Sequence, residues 1–217
     1  MLVRAGQDLL HLNTIGFKEI GQFFDVLLSE RGIVVDPDPI APSGSRDFGL
    51  TTPYLVFIHS TSWTSKVWPE FYWQDLTHKA TAAGFQVVLP WGSDAEQKRS
   101  LQIAAGNDRV VVLPSLTISE KAAVISRAAA TVGLDTGLSH IAAGFNIPSV
   151  TIYGATDPFL VGATGQHQTH VVSNFECVKC HEVECLYGKP AAFKPACFVE
   201  ITPEHIWLEL QALLDSH

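Results

Sequence analysis

The run Asp135-Thr136-Gly137-Leu138-Ser139-His140 has the residue types that hold an anion. It follows the apolar stretch Ala130–Leu134 and precedes a helical pattern. A strand ending there, a glycine that lets the backbone approach a ligand and a helix that begins would aim free N–H groups and the positive end of the helix dipole at a phosphate. Asp135 would orient the turn or cap the helix. His140, one turn in, contacts the ligand or merely packs. Thr61 and Ser62 carry hydroxyls that can donate to phosphate oxygens, and Lys66 adds a point charge. The competing reading of that segment is a polar loop that caps a helix. Gly92 permits a tight turn, and Glu96, in the next helical turn, could accept hydrogen bonds from a ribose or merely favour the helix dipole. Leu116 could pack on a base or be an ordinary buried loop leucine. Gly154 and Thr156 lie in a fifth loop, Tyr153–Pro158.

All five segments follow apolar runs, which supply the positioning. Tyr54–Ile58, Phe85–Leu89, Val110–Leu113, Ala130–Leu134 and Ser149–Tyr153 read as buried parallel strands. Between and after them lie helical stretches at Pro69–Ala83, Ala95–Ala105, Ser119–Ala129, Leu138–Phe145 and Pro203–Leu214. Thr117 and Glu120 have capping-box spacing, and Pro69 suits a first helical turn. The alternation predicts an α/β fold, a Rossmann-like parallel sheet with helices on both faces, in which ligands bind beyond the carboxyl ends of the strands. Residues 1–50 differ. Phe17–Arg31 reads as an amphipathic helix with Ile20, Phe23, Phe24, Leu27 and Leu28 on one face, followed by a linker over Asp36–Ser45. Residues 51–217 form the nucleotide-binding domain.

The 217 residues carry a net charge of −8 and no basic stripe, which argues against nucleic acid as a partner. No apolar run reaches membrane-spanning length and no signal-peptide core opens the chain, so the expected compartment is the cytoplasm. There Cys177, Cys180, Cys185 and Cys197 would be reduced thiols stabilising a loop or ligands of a structural zinc ion, with redox pairing a third reading.

The ordered set His59-x-Thr61-Ser62-x3-Lys66-x-Trp68-Pro69, Leu89-Pro90-Trp91-Gly92 with Glu96, Asp135–His140 and Tyr153–Pro158 resembles the donor-binding half of the bacterial lipopolysaccharide heptosyltransferases. The Lys-x-Trp-Pro and Pro-Trp-Gly elements look most like heptosyltransferase I. The resemblance covers about residues 50–215 and implies the C-terminal domain of a GT-B glycosyltransferase. It implies transfer of L-glycero-D-manno-heptose from ADP-heptose to Kdo2–lipid A, with inversion and without a catalytic metal or other cofactor. By motif, Thr61, Ser62 and Lys66 would grip the diphosphate and sugar. Glu96 would hold the ribose and Leu116 would sit beside adenine. Asp135, Thr136, Gly137 and His140 would form the diphosphate turn. Ser62 replaces a second threonine and keeps the hydroxyl. The family's general base is an aspartate in a Gly-Asp-Val-Leu-His-like turn of the N-terminal domain, which is largely missing here, residues 1–50 being a remnant of the acceptor domain and linker. Gly6-Gln7-Asp8-Leu9-Leu10-His11 echoes that turn, with Asp8 a weak candidate. Peripheral contact with the cytoplasmic face of the inner membrane is compatible with the expected cytoplasmic compartment. A heptosyltransferase II-like enzyme and a non-catalytic nucleotide-binding fragment are the alternatives. A cysteine-cluster interaction domain explains none of the five loops.

Overall fold

The computed structural model describes residues 48–50 and 53–216, all within one compact unit, Pro42–His217. Asp8, the helix expected over Phe17–Arg31 and the linker at Asp36–Ser45 lie outside the described residues. Six strands form one sheet: β1 (Tyr54–Ile58), β2 (Gln86–Leu89), β3 (Val110–Val112), β4 (Ala130–Leu134), β5 (Ser149–Tyr153) and β6 (Gln168–Val172). Their order is β3-β2-β1-β4-β5-β6 and every pairing is parallel. The helices are α1 (Glu70–Ala82), α2 (Asp94–Ala104), α3 (Ile118–Ile125), α4 (Gly137–Gly144), α5 (Pro158–Val161) and α6 (Pro203–Asp215).

The strands read as continuous apolar runs because both faces of the sheet are covered. Along β1, Leu55 and Phe57 enter a core with Trp73 and Leu76 of α1, Ile103 of α2 and Ile206 of α6. Tyr54, Val56 and Ile58 enter the opposite core with Val124 and Ile125 of α3 and Ala142 of α4. Each such fully buried large side chain contributes about 1.5–3 kcal/mol.

Three differences from the expected elements have physical causes. β6 has no apolar run to announce it. It pairs only with β5 at the sheet edge and is half-buried, so polar Gln168, Thr169 and His170 are tolerated. The helix expected to run to Ala129 stops at Ile125. The Ala129 N–H is instead bonded to the carbonyl of Tyr54, so the chain must already be extended there. Pro69 is the N-cap of α1 rather than its first residue. The capping box forms as expected, with Thr117 and Glu120 exchanging both bonds.

The chain leaves β1 toward β2 and β3, then returns to β4 on β1's other side. That reversal opens a crevice at the carboxyl ends of β1 and β4, the place where sheets of this kind take ligands.

Candidate functional site

The segment after β1 and the segment after β4 meet across the crevice. Lys66, in a 3-10 turn over Thr64–Lys66, donates to the Asp135 carboxylate and to the Asp135 carbonyl, both at 3.1 Å. The pair is well buried, with side chains 14% and 9% exposed. Thr156, after β5, donates its hydroxyl to the same carboxylate oxygen at 2.8 Å. Asp135 thus joins three loops from three adjacent strands. An ammonium has three N–H donors, so Lys66 keeps one for a ligand. The Trp63 ring lies 4.5 Å under it.

Asp135 orients the turn; it does not cap the helix. The N-cap of α4 is Thr136, whose side chain makes no capping bond. Ser139 reaches back to the carbonyl of Leu134 at 2.7 Å and fixes the strand-to-helix turn. A Cβ on Gly133 would stand 2.5 Å from that Ser139 hydroxyl, so the strand needs glycine there. Around Gly137 the opposite holds: a Cβ would meet nothing within 4 Å. The mouth of α4 is open space. His140 Nε2 stands 4.0 Å from Asp135 Oδ1 on its half-exposed side. Burial of its inner side lowers the imidazole pKa against the opposing pull of Asp135, which leaves a neutral ring at pH 7 able to donate or accept.

The turn bearing Lys66 is anchored from below. Trp68 is fully buried, packs on Trp73 at 5.0 Å and donates to the Ile201 carbonyl at 2.9 Å. It is also clamped from the side by a segment far along the chain. Ser65 N–H bonds the Val183 carbonyl at 3.0 Å, and the Ser65 hydroxyl donates to the Glu182 carbonyl. On the other side of that segment, Lys179 N–H and His181 N–H bond the carbonyls of Gly154 and Ala155 at 2.8 Å each, and Lys179 pairs with Asp157 at 3.0 Å. This is the cysteine segment. Its sequence position, beyond all five loops, points away from the site, yet the structure lays it against the loops after β1 and β5. Cys177, Cys180, Cys185 and Cys197 line a single cavity of about 380 Å³ with Ser65 and Ala155. Among the described residues, no group of three or more His, Cys, Asp or Glu is arranged to hold a metal ion. Burial pushes the Cys197 thiol up to about 12, so it is inert.

The remaining expected residues lie further along the crevice or at its rim. Glu96 is in the first turn of α2, and its carboxylate folds back to accept from Gly92 N–H. Thr61 is half-buried and Ser62 exposed. Leu116 is 8% exposed and packs in the core with Val88 and Leu113, which leaves little of its surface for a base. His59, at the end of β1, is bonded at both ring nitrogens. The Ser100 hydroxyl donates to the Glu96 carbonyl at 3.1 Å and so accepts from His59 Nε2–H at 2.8 Å, while Ser60 bonds Nδ1 at 2.8 Å. Sequence reasoning placed Thr156 in a site loop without its partner. It passed over Lys121, although a lysine at the head of the stripe 121, 124, 125, 128 was a visible signal.

The family model for glycosyltransferase family 9 (heptosyltransferase) matches residues 34–191. The chain is 39% identical over 192 residues to lipopolysaccharide heptosyltransferase 1 of Pseudomonas aeruginosa, covering 80% of this chain and 54% of that relative. A structure of the E. coli heptosyltransferase WaaC with ADP superposes with a TM-score of 0.63 at 30% identity, covering 76% of this chain and 46% of that one. The E. coli protein with ADP-2-deoxy-2-fluoro heptose gives 0.59 at 26% identity, covering 87% and 53%. The chain spans about half the length of the curated relatives it matches. No described helix is long and apolar enough to cross a membrane.

Proposed function

Because the chain belongs to glycosyltransferase family 9, the heptosyltransferases, we propose that residues 53–216 are the donor-binding domain of a lipopolysaccharide heptosyltransferase of type I. The donor is ADP-heptose and the acceptor Kdo2–lipid A, met at the cytoplasmic face of the membrane by a cytoplasmic protein. The observation that carries this reading is the Lys66–Asp135–Thr156 constellation beside the open N-terminus of α4. Type I is supported by the 39% identity to a heptosyltransferase 1.

Departure of ADP from the sugar builds negative charge on the diphosphate. The free N–H of Lys66 and the first amides of α4, beside Thr136 and Gly137, are fixed donors in a partly buried crevice, where such stabilisation is strongest. Asp135 carries no ligand itself. Its buried carboxylate holds Lys66 and Thr156. Thr61 and Ser62 add hydroxyl donors, and neutral His140 adds a ring nitrogen without a competing charge. Glu96 takes the ribose, while Leu116, packed in the core, offers the base only the edge of its side chain. The acceptor hydroxyl needs a general base, which this reading assigns to no described residue. The four cysteines share a cavity without forming a ligand set, so no zinc ion enters the proposal.

Titration calorimetry of the chain with ADP, ADP-heptose and UDP tests the reading. ADP and ADP-heptose should bind and UDP more weakly. Failure to bind any of them favours a decayed fragment, and equal binding of UDP overturns the adenosine assignment.

A further inference from the structure

Lys121 sits on the inward face of α3, where its neighbours Val124 and Ile125 enter the core. The residue is only 9% exposed. A lysine in such a place normally pairs with a carboxylate or carries its ammonium out to water. Lys121 forms none of the ion pairs among the described residues. Its amino group instead points across to the end of β2. It stands 3.8 Å from the position a Cβ on Gly92 would take, and the Glu96 carboxylate stands 3.2 Å from that same point. An ammonium and a carboxylate therefore flank Gly92 without closing on each other.

The chemistry that fits such a gap is narrow. A phosphate would be repelled by Glu96, and a hydrocarbon would leave the Lys121 ammonium without a partner and the Glu96 carboxylate with the Gly92 N–H alone, at a cost that grows with burial. A hydroxyl suits both groups, since it donates to the carboxylate and accepts from the ammonium. Two adjacent hydroxyls suit them better. The glycine leaves room for such a group, because any side chain at position 92 would press on Glu96.

We infer that Lys121 is a second ribose-binding residue, which acts with Glu96 to read the vicinal diol of the nucleotide. The inference rests on the donor-binding reading above and adds a residue which that reading does not use. At this end of the crevice the site thus selects a ribonucleotide over a deoxyribonucleotide.

The test is calorimetry with ADP, 2′-deoxy-ADP and 3′-deoxy-ADP on the unaltered chain and on Lys121→Met, which keeps the length and burial of the side chain. The unaltered chain should prefer ADP to at least one deoxy analogue by about tenfold, the worth of one hydrogen bond to a charged group. Lys121→Met should lose about tenfold for ADP and lose most of that preference, and Lys121→Arg should restore part of it. Equal losses for ADP and both analogues, or no loss at all, would overturn the inference while leaving ADP binding in place. If the unaltered chain binds no ADP, the donor-binding reading fails and this one falls with it. A thermal melt of each variant separates lost binding from lost folding.

Discussion

At the β4–β5 end of the crevice, Lys66, Asp135 and Thr156 are bonded to one another in the free protein. At the β2–β3 end, Glu96 is folded onto the backbone of Gly92, and Lys121 is held apart from it. The first end is organised by internal charges, so its geometry does not depend on a ligand. The second has complementary charges that a ligand must complete. An anion with a strong fixed charge needs a rigid cradle, and a neutral sugar hydroxyl needs donors and acceptors left open for it. The division of labour follows from what each part of the ligand can offer.

The largest expected effect comes from breaking the organised end. Asp135→Ala removes the carboxylate under Lys66 and Thr156 and leaves a mostly buried ammonium unpaired. Stability should fall by roughly 3 kcal/mol, read by urea denaturation. A loss as small as that of a surface substitution would show that this end is not internally organised. His59, which ties the end of β1 to Ser100 of α2, gives the next effect. Burial, helped by the nearby Arg99, holds its pKa down to about 3, against about 6.5 in the unfolded chain. The unfolded state therefore binds the extra proton first. The contribution of His59 is complete above pH 6.5 and is lost as pH falls toward 3, to a total of several kcal/mol. His59→Gln should flatten the acid limb of a stability–pH profile, and an unchanged limb would remove His59 from its cause. The smallest effect on the fold sharpens the comparison from the ligand side. Gly137→Ala adds a methyl to open space at the mouth of α4. Stability should stay within about 0.5 kcal/mol, while ADP affinity should fall about tenfold by calorimetry. Unchanged affinity would place the diphosphate elsewhere.

The strands β1 to β5 and the turn at Asp135 were legible because continuous apolar runs and a strand–glycine–helix pattern are local signals. β1, β4 and β5 begin and end where their residues predict. β6 was not legible, because an edge strand has no need of an apolar run. The meeting of Lys66 with Asp135 was implied only by family resemblance, since the two are 69 residues apart and nothing in either segment encodes the other. Thr156 gave no sign of its partner for the same reason. The closeness of the cysteine segment to the loops after β1 and β5 was not legible, because chain position says little about position in space. Its backbone at Lys179 and His181 is left-handed, at φ 57° and 55°, in residues that do not announce such turns as glycine does.

The clamp between Ser65 and the cysteine segment also bears on how the chain folds. Its two hydrogen-bonded sides are 117 to 119 residues apart, and contacts of such long sequence separation form only after the entropy of closing a large loop has been overcome. The sheet can assemble from neighbouring strand–helix units without that contact. Lys66 should therefore reach its working position late, after β1 and β5 have joined the sheet. Hydrogen exchange should show the amides of Ser65, Lys179 and His181 opening more readily than those of β1 and β4. Ligand that spans the Lys66 turn would then act as the final fastener of a nearly finished structure.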